Sequence, residues 1–311
     1  MFQLYKKRGF SEFVGDTFDF LKIEGKSYFK NYFIINGIVL LLLVATLYFF
    51  TSIFFEGMFS NANRNNSDGM ALFLNSNLGI FIGLGIFLFL IVMLASLINY
   101  TYPIAYLKLV AEKKTITTES IIAIMKEKAG RTIIFFLASL VVMIPLIFIL
   151  MGIMFLLTII IIGIPLLLIV GPALMSWMIL CYYDYITTEN GYFQSLGNGF
   201  NLLKMKFWPI IGSTVIMYII VQMIVGIFSF VPYIITIAGF MASIDTESQS
   251  AEPYSAIMIA MNILMIVYTI SSFTLQNLIF VNQGVIYYSV KDEEESHSIK
   301  SDIDLIGQNE E

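Results

Sequence analysis

Apolar residues run in long uninterrupted blocks, separated by short polar stretches. Phe33 to Phe55 carries no charge, and neither does Leu78 to Leu107. Residues 132–183 form one apolar stretch far longer than a single crossing of a hydrocarbon layer about 30 Å thick, so it must fold back once. Gly163 and Pro165 mark the expected turn. The pattern predicts six spans, near 33–55, 78–107, 132–155, 162–183, 207–229 and 256–288. Pro232 is expected to end the fifth, leaving 231–241 as a short interfacial or re-entrant piece. The fold class is thus an all-α integral membrane protein.

Between the spans the period changes. In residues 9–22, Phe10, Phe13, Val14, Phe18, Phe20 and Leu21 fall on one helical arc; Glu12, Gly15, Asp16, Asp19 and Lys22 fall on the other. Residues 191–204 repeat this register, with Tyr192, Leu196, Phe200, Leu202 and Leu203 apolar. Gly9, Glu12, Gly15, Asp16, Phe18, Asp19, Leu21 and Lys22 align with Gly191, Gln194, Gly197, Asn198, Phe200, Asn201, Leu203 and Lys204. A weaker copy starts at Ile116-Thr117-Thr118-Glu119-Ser120, which matches Ile186-Thr187-Thr188-Glu189-Asn190 and supplies helix-start chemistry. Lys128 interrupts the apolar arc of that copy. Interfacial helices are expected near 9–30, 117–129 and 189–205, each preceding a transmembrane hairpin. The architecture reads as three such units. The even-numbered spans end in tyrosines, Tyr106, Tyr182, Tyr183, Tyr287 and Tyr288, which fit an aromatic belt at the membrane surface.

Composition agrees with a bilayer as solvent. The 311 residues are 58% hydrophobic and 13% charged, against about 25% charged in soluble domains. Sixteen of the seventeen Lys and Arg residues lie in the N-terminal segment, the second and fourth loops and the C-terminal tail; only Arg64 lies on the other side. Positive loops stay inside, so both termini are expected in the cytoplasm of a cytoplasmic-membrane protein. Acidic residues from Glu12 onward precede any apolar run, so no cleavable leader is expected. The net charge of −5 resides mostly in the tail, and no nucleic-acid partner is expected.

The amphipathic repeat, the six spans and the polar ends of the even spans resemble a bacterial membrane-domain family. That family is found fused to some glycerophosphodiester phosphodiesterases and as stand-alone relatives. The resemblance covers roughly residues 9–290 and implies architecture only. The phosphodiesterase domain is missing, and the single histidine, His297, could not supply its metal ligands.

Candidate chemistry is sparse. There is no HExxH, GxSxG, phosphate loop or paired intramembrane carboxylate, so no enzyme, cofactor or metal is expected. Cys181 stands alone and reads as a small filler near a helix end. Asp184, at the end of the fourth span, reads as a solvated or interface-bound carboxylate. Neutral polar residues gather at the ends of the even spans: Asn99, Thr101, Tyr102 and Pro103 in the second, and Gln276, Asn277, Asn282 and Gln283 in the sixth. Amides there avoid lipid. They serve either interhelical hydrogen bonds or a shared polar cavity for a headgroup or small solute; Asn99, Tyr102, Gln276, Asn277, Asn282 and Gln283 are its candidate lining. Gly79 and Gly83 form a GxxxG pair suited to close packing in the bundle or to homo-oligomer formation. The tail, 291–311, is expected to be disordered. Ile303, Leu305 and Ile306 form an apolar island that could dock a cytoplasmic or membrane protein partner. The leading expectation is a non-enzymatic scaffold or accessory component. The alternative is a transporter or lipid-handling protein.

Overall fold

The computed structural model describes residues 2–62, 69–159, 163–245 and 252–308. Among them the regular structure is all helical, with eight helices: α1 (Phe10–Ala62), α2 (Gly69–Ser76), α3 (Leu78–Ala111), α4 (Thr118–Ile159), α5 (Gly163–Thr187), α6 (Tyr192–Met205), α7 (Phe207–Asp245) and α8 (Glu252–Gln308). Six of these, α1, α3, α4, α5, α7 and α8, are long and apolar enough to cross a membrane. The protein is an all-α, multi-pass membrane protein.

Element boundaries differ from the expected ones in a consistent way. The amphipathic stretch near 9–30 and the span near 33–55 form one uninterrupted helix, and so do 117–129 and 132–155. No proline or turn sequence separates either pair, and extending a helix is far easier than starting one. Only α6 is separate from its span, at Lys206, whose φ of −135° and ψ of 49° leave the helical region. α7 runs through Pro232 to Asp245 in place of a span and a detached piece. The Thr236 hydroxyl donates to the Pro232 carbonyl at 2.9 Å, so the polar groups of this turn stay bonded. α8 extends from the sixth span into the tail as far as Gln308, where disorder was expected. The side chains of Ile303, Leu305 and Ile306 lie outside the described residues.

Helix starts follow local chemistry. The Gly9 N–H donates to the Glu12 carboxylate at 2.9 Å, and the Phe13 N–H to the Gly9 carbonyl at 3.0 Å. At α4 the Thr117 N–H donates to the Ser120 hydroxyl at 3.0 Å, and the Ser120 N–H to the Thr117 hydroxyl at 3.2 Å. The α4 pair is a reciprocal cap of otherwise orphaned donors, whereas at α1 the cap runs one way, from the Gly9 N–H to Glu12. Gly191 precedes α6 in an extended conformation without a side-chain cap.

The chain divides into two compact units. The first comprises Met1–Ile35, Tyr100–Ile219 and Asn277–Glu311. It holds nearly all of the largest fully buried side chains, among them Phe13, Phe20, Tyr28, Tyr32, Tyr106 and Phe280. The second comprises Asn36–Asn99 and Ile220–Gln276. It exposes many large apolar side chains, such as Ile38, Phe49, Phe89 and Ile227, as lipid-facing helices do. Within it the Thr51 hydroxyl bonds the Asn262 side chain, and Phe73 of α2 lies against Gly57 of α1. The expected close packing at Gly79 and Gly83 is not found: a Cβ at either would meet no described atom within 4 Å.

Candidate polar site at the ends of the even spans

In the first unit the C-terminal stretches of α3 and α5 and the middle of α8 carry tyrosines and amides that are buried among other helices. Tyr106, Tyr182, Tyr183, Tyr287 and Tyr288 are at most 4% exposed, which overturns the aromatic-belt expectation. The hydroxyls of Tyr106, Tyr182, Tyr183 and Tyr287 find protein partners instead of water. The Tyr28 hydroxyl donates to the Asn277 side-chain carbonyl at 2.8 Å, and Tyr102 donates to the Tyr28 backbone carbonyl. The rings of Tyr28, Tyr102 and Tyr106 meet edge to face or tilted, with centroids 4.9–6.1 Å apart. Tyr182 shares hydrogen bonds with Thr101 of α3 at 2.7 Å and Thr132 of α4 at 3.1 Å. Tyr183 donates to the Phe280 carbonyl of α8 at 2.9 Å.

Asn282 ties three helices. Its side-chain N–H group lies 3.0 Å from the Phe13 carbonyl and from the Thr17 hydroxyl of α1, and 3.0 Å from the Ser213 hydroxyl of α7. Gln283 donates to the Thr214 hydroxyl of α7 at 2.7 Å. Thr214 in turn donates to the Ile210 carbonyl at 2.8 Å, so Ser176 of α5, 2.8 Å away, is a second donor to it. The side-chain carbonyl of Gln283 is buried without a partner among the described residues. Asn99 and Gln276 belong to the second unit, where Asn99 donates to Gln276 at 3.5 Å. The six candidate residues are therefore distributed over several interhelical hydrogen-bonded groups.

Charged groups missed or misread from the pattern complete the first unit. Asp184 is 4% exposed, not solvated. Its carboxylate accepts from Asn190 at 3.0 Å and from Asn198 of α6 at 3.1 Å, so neutral amide dipoles replace water around a buried charge. Arg131 of α4 donates to the backbone carbonyls of Tyr185 at 2.6 Å and Asn190 at 2.7 Å, and its guanidinium lies 4.1 Å from the Tyr185 ring centroid. Arg8 is 2% exposed. It pairs with Asp16 at 2.7 Å and also donates to the carbonyls of Leu4, Lys6 and Gln3. Lys206 donates to the Arg8 carbonyl at 2.8 Å and pairs with Glu293 of α8 at 2.5 Å. The visible signal for Arg8 was Asp16, eight residues on, facing back along the polar arc.

Lys128, the residue that broke the apolar arc, is buried and pairs with Glu127 at 3.0 Å and Glu189 at 3.1 Å. The hydrogen bond and charge of Lys128, then the charge of Arg131, hold the Glu189 carboxyl below its usual range. A carboxyl depressed on folding contributes stability that is complete above its unfolded pKa and is lost as pH falls through the folded one. Glu189 is itself exposed, so solvent keeps the effect small. Glu189→Gln is expected to lower the thermal unfolding midpoint slightly near neutrality. The gap from the unsubstituted protein should close on acidification to about pH 3. A gap that stays constant with pH would show that the pair contributes nothing through its charge.

A hollow of about 100 Å³ lies among Tyr5, Lys108, Glu112, Thr187, Tyr287 and Lys291 in the same unit. Lys291 donates to the Tyr287 hydroxyl at 3.1 Å. Thr187 donates to the Tyr183 carbonyl at 2.7 Å, so Tyr287, 2.9 Å from Thr187, donates to it. Lys108, in the last turn of α3, suits the carbonyl charge that gathers there. Cys181 is buried, its thiol 3.7 Å from the Leu196 carbonyl. Among the described residues no three His, Cys, Asp or Glu side chains come together as a metal site would need.

Compared with family models, curated proteins and solved structures, the chain matches none.

Proposed function

We propose that this membrane protein is a non-enzymatic scaffold or accessory component of the cytoplasmic membrane. In this reading both termini lie in the cytoplasm, and the chain is a relative of the membrane-domain family it resembles. One observation carries the reading: the tyrosines and amides at the even-span ends bond other helices of the same chain, in groups such as Asn282 with Thr17 and Ser213. Polar side chains spent on holding helices together make a rigid body rather than a reaction centre or a pathway. The basic loops support the orientation, and the exposed Glu294 in the acidic stretch gives a partner a charge to meet.

A second reading, transport or lipid handling, is favoured by one atom. The buried side-chain carbonyl of Gln283 has no partner among the described residues, and such a group is often satisfied by a bound water or solute. Extraction of the protein with its surrounding membrane, followed by mass spectrometry, separates the two. Partner proteins in fixed ratio, lost when residues 291–311 are deleted, are the expected outcome. A single dominant small molecule or lipid without any partner protein would replace the scaffold reading by the second.

A further inference from the structure

An open-sided cleft of about 560 Å³ lies in the first unit, between residues 23–34 of α1 and the start of α4. That volume is in the range of small-molecule sites, about 300–1,000 Å³. Its floor is fixed: Asn31 is buried, donates to the Ser27 carbonyl at 2.9 Å and accepts from the Thr118 hydroxyl at 2.6 Å. Lys26 and Lys30 line the cleft one helical turn apart, on one face of α1. Both are exposed, and neither has a carboxylate within ion-pairing distance among the described residues. Glu119 is the acidic lining residue, so the lining keeps an excess of positive charge.

The remaining wall is apolar. Ile23 and Ile34 are 59% and 53% exposed, and Ile116 lies opposite on the loop before α4. The cleft thus offers a pair of cations beside uncovered aliphatic surface, where α1 passes from its amphipathic part into its apolar run. Basic pockets between transmembrane helices recognise phosphate-bearing headgroups by charge, and the adjoining apolar surface suits the first carbons of acyl chains. We propose that this cleft seats an anionic phospholipid, with its phosphate facing Lys26 and Lys30 and its chains starting along Ile34. Free phosphate shares the charge but has no use for the isoleucine wall. The start of α4 lies at this end, and its positive pole adds to the two lysines.

The test uses the purified full-length protein in detergent and native mass spectrometry. Phosphatidylglycerol, phosphatidylcholine and inorganic phosphate are the probes. The unsubstituted protein is expected to retain phosphatidylglycerol over phosphatidylcholine. Lys26→Ala and Lys30→Ala should each reduce that preference about fivefold. Lys22→Ala, which removes an exposed charge paired with Asp19 on the same helix, should leave it unchanged. Glu119→Gln should strengthen it. The proposal is overturned if phosphatidylglycerol shows no preference, or if Lys22→Ala weakens it as much as the cleft variants do. It is also overturned if inorganic phosphate displaces the lipid at comparable concentration, because the site would then read a free anion.

Discussion

Gly199→Ala is expected to destabilise the protein by about 2–3 kcal/mol, because α6 and α5 already touch at their backbones. A Cβ at position 199 would stand 2.5 Å from the Cys181 sulfur, 2.7 Å from the Cys181 backbone nitrogen and 3.0 Å from its Cα. No rotamer change clears a backbone atom, so α6 would have to move as a body. Cys181→Gly should consequently fail to rescue the variant, although it removes the sulfur. Trp177 provides the readout: its indole N–H donates to the Leu196 carbonyl at 2.9 Å, and its ring lies 5.9 Å from Phe200. A red-shifted tryptophan emission with a lowered thermal midpoint is the expected pair of signals. An unchanged midpoint would mean that α6 separates from α5 without cost, contrary to the geometry. Gly284→Ala is a softer case, since its Cβ would first meet Leu107 Cδ1 and the Tyr183 hydroxyl, the outer ends of side chains.

Asn282→Leu is expected to cost about 3 kcal/mol. Leucine matches the branching of asparagine but is bulkier, and it strands the Ser213 hydroxyl in a buried place; the Phe13 carbonyl and the Thr17 hydroxyl lose the amide but keep the 2.7 Å bond between them. Each stranded polar group costs about 1–3 kcal/mol when nothing replaces the lost partner. Interhelical bonds in membranes recover only part of the ideal value, which keeps the total moderate. Ser213→Ala removes one of the three partners, so the double variant should lose less than the two single losses added together. A coupling of about 1 kcal/mol in that cycle is expected. Strict additivity would show that the amide and the hydroxyl do not act together.

The six membrane-crossing helices were legible because apolar length is a coarse signal that local detail does not disturb. The polar residues at the even-span ends were legible as a group for the same reason: amides do not face lipid, so Asn277, Asn282 and Gln283 had to turn toward protein. Their actual partners were not legible. Thr17 and Ser213 lie 265 and 69 residues from Asn282, and no local pattern encodes such pairings. The tyrosines were misread because position along a span is visible in the sequence, while the side of the helix that meets other helices is not. Asp184 and Lys128 fail in the same way. Each looks out of place on its own helix and is made acceptable by residues of another element, Asn198 and Glu189. The junctions at residues 30–33 and 129–132 were misread for a different reason. A change in polarity is not a break in the helix, and nothing in either stretch stops the backbone hydrogen bonding from continuing.

The bonds from Asn282 to Phe13 and from Asn277 to Tyr28 join the first helix of the chain to the last. A ribosome adding about 5–20 residues per second needs some tens of seconds to pass from the one to the other. Throughout that interval the Thr17 and Tyr28 hydroxyls sit in a half-made protein without Asn282 and Asn277, the α8 amides they finally meet. Nascent chains that stall before α8 therefore carry a marked polar stripe on α1, the kind of surface by which quality control in a membrane can tell an unfinished protein from a finished one.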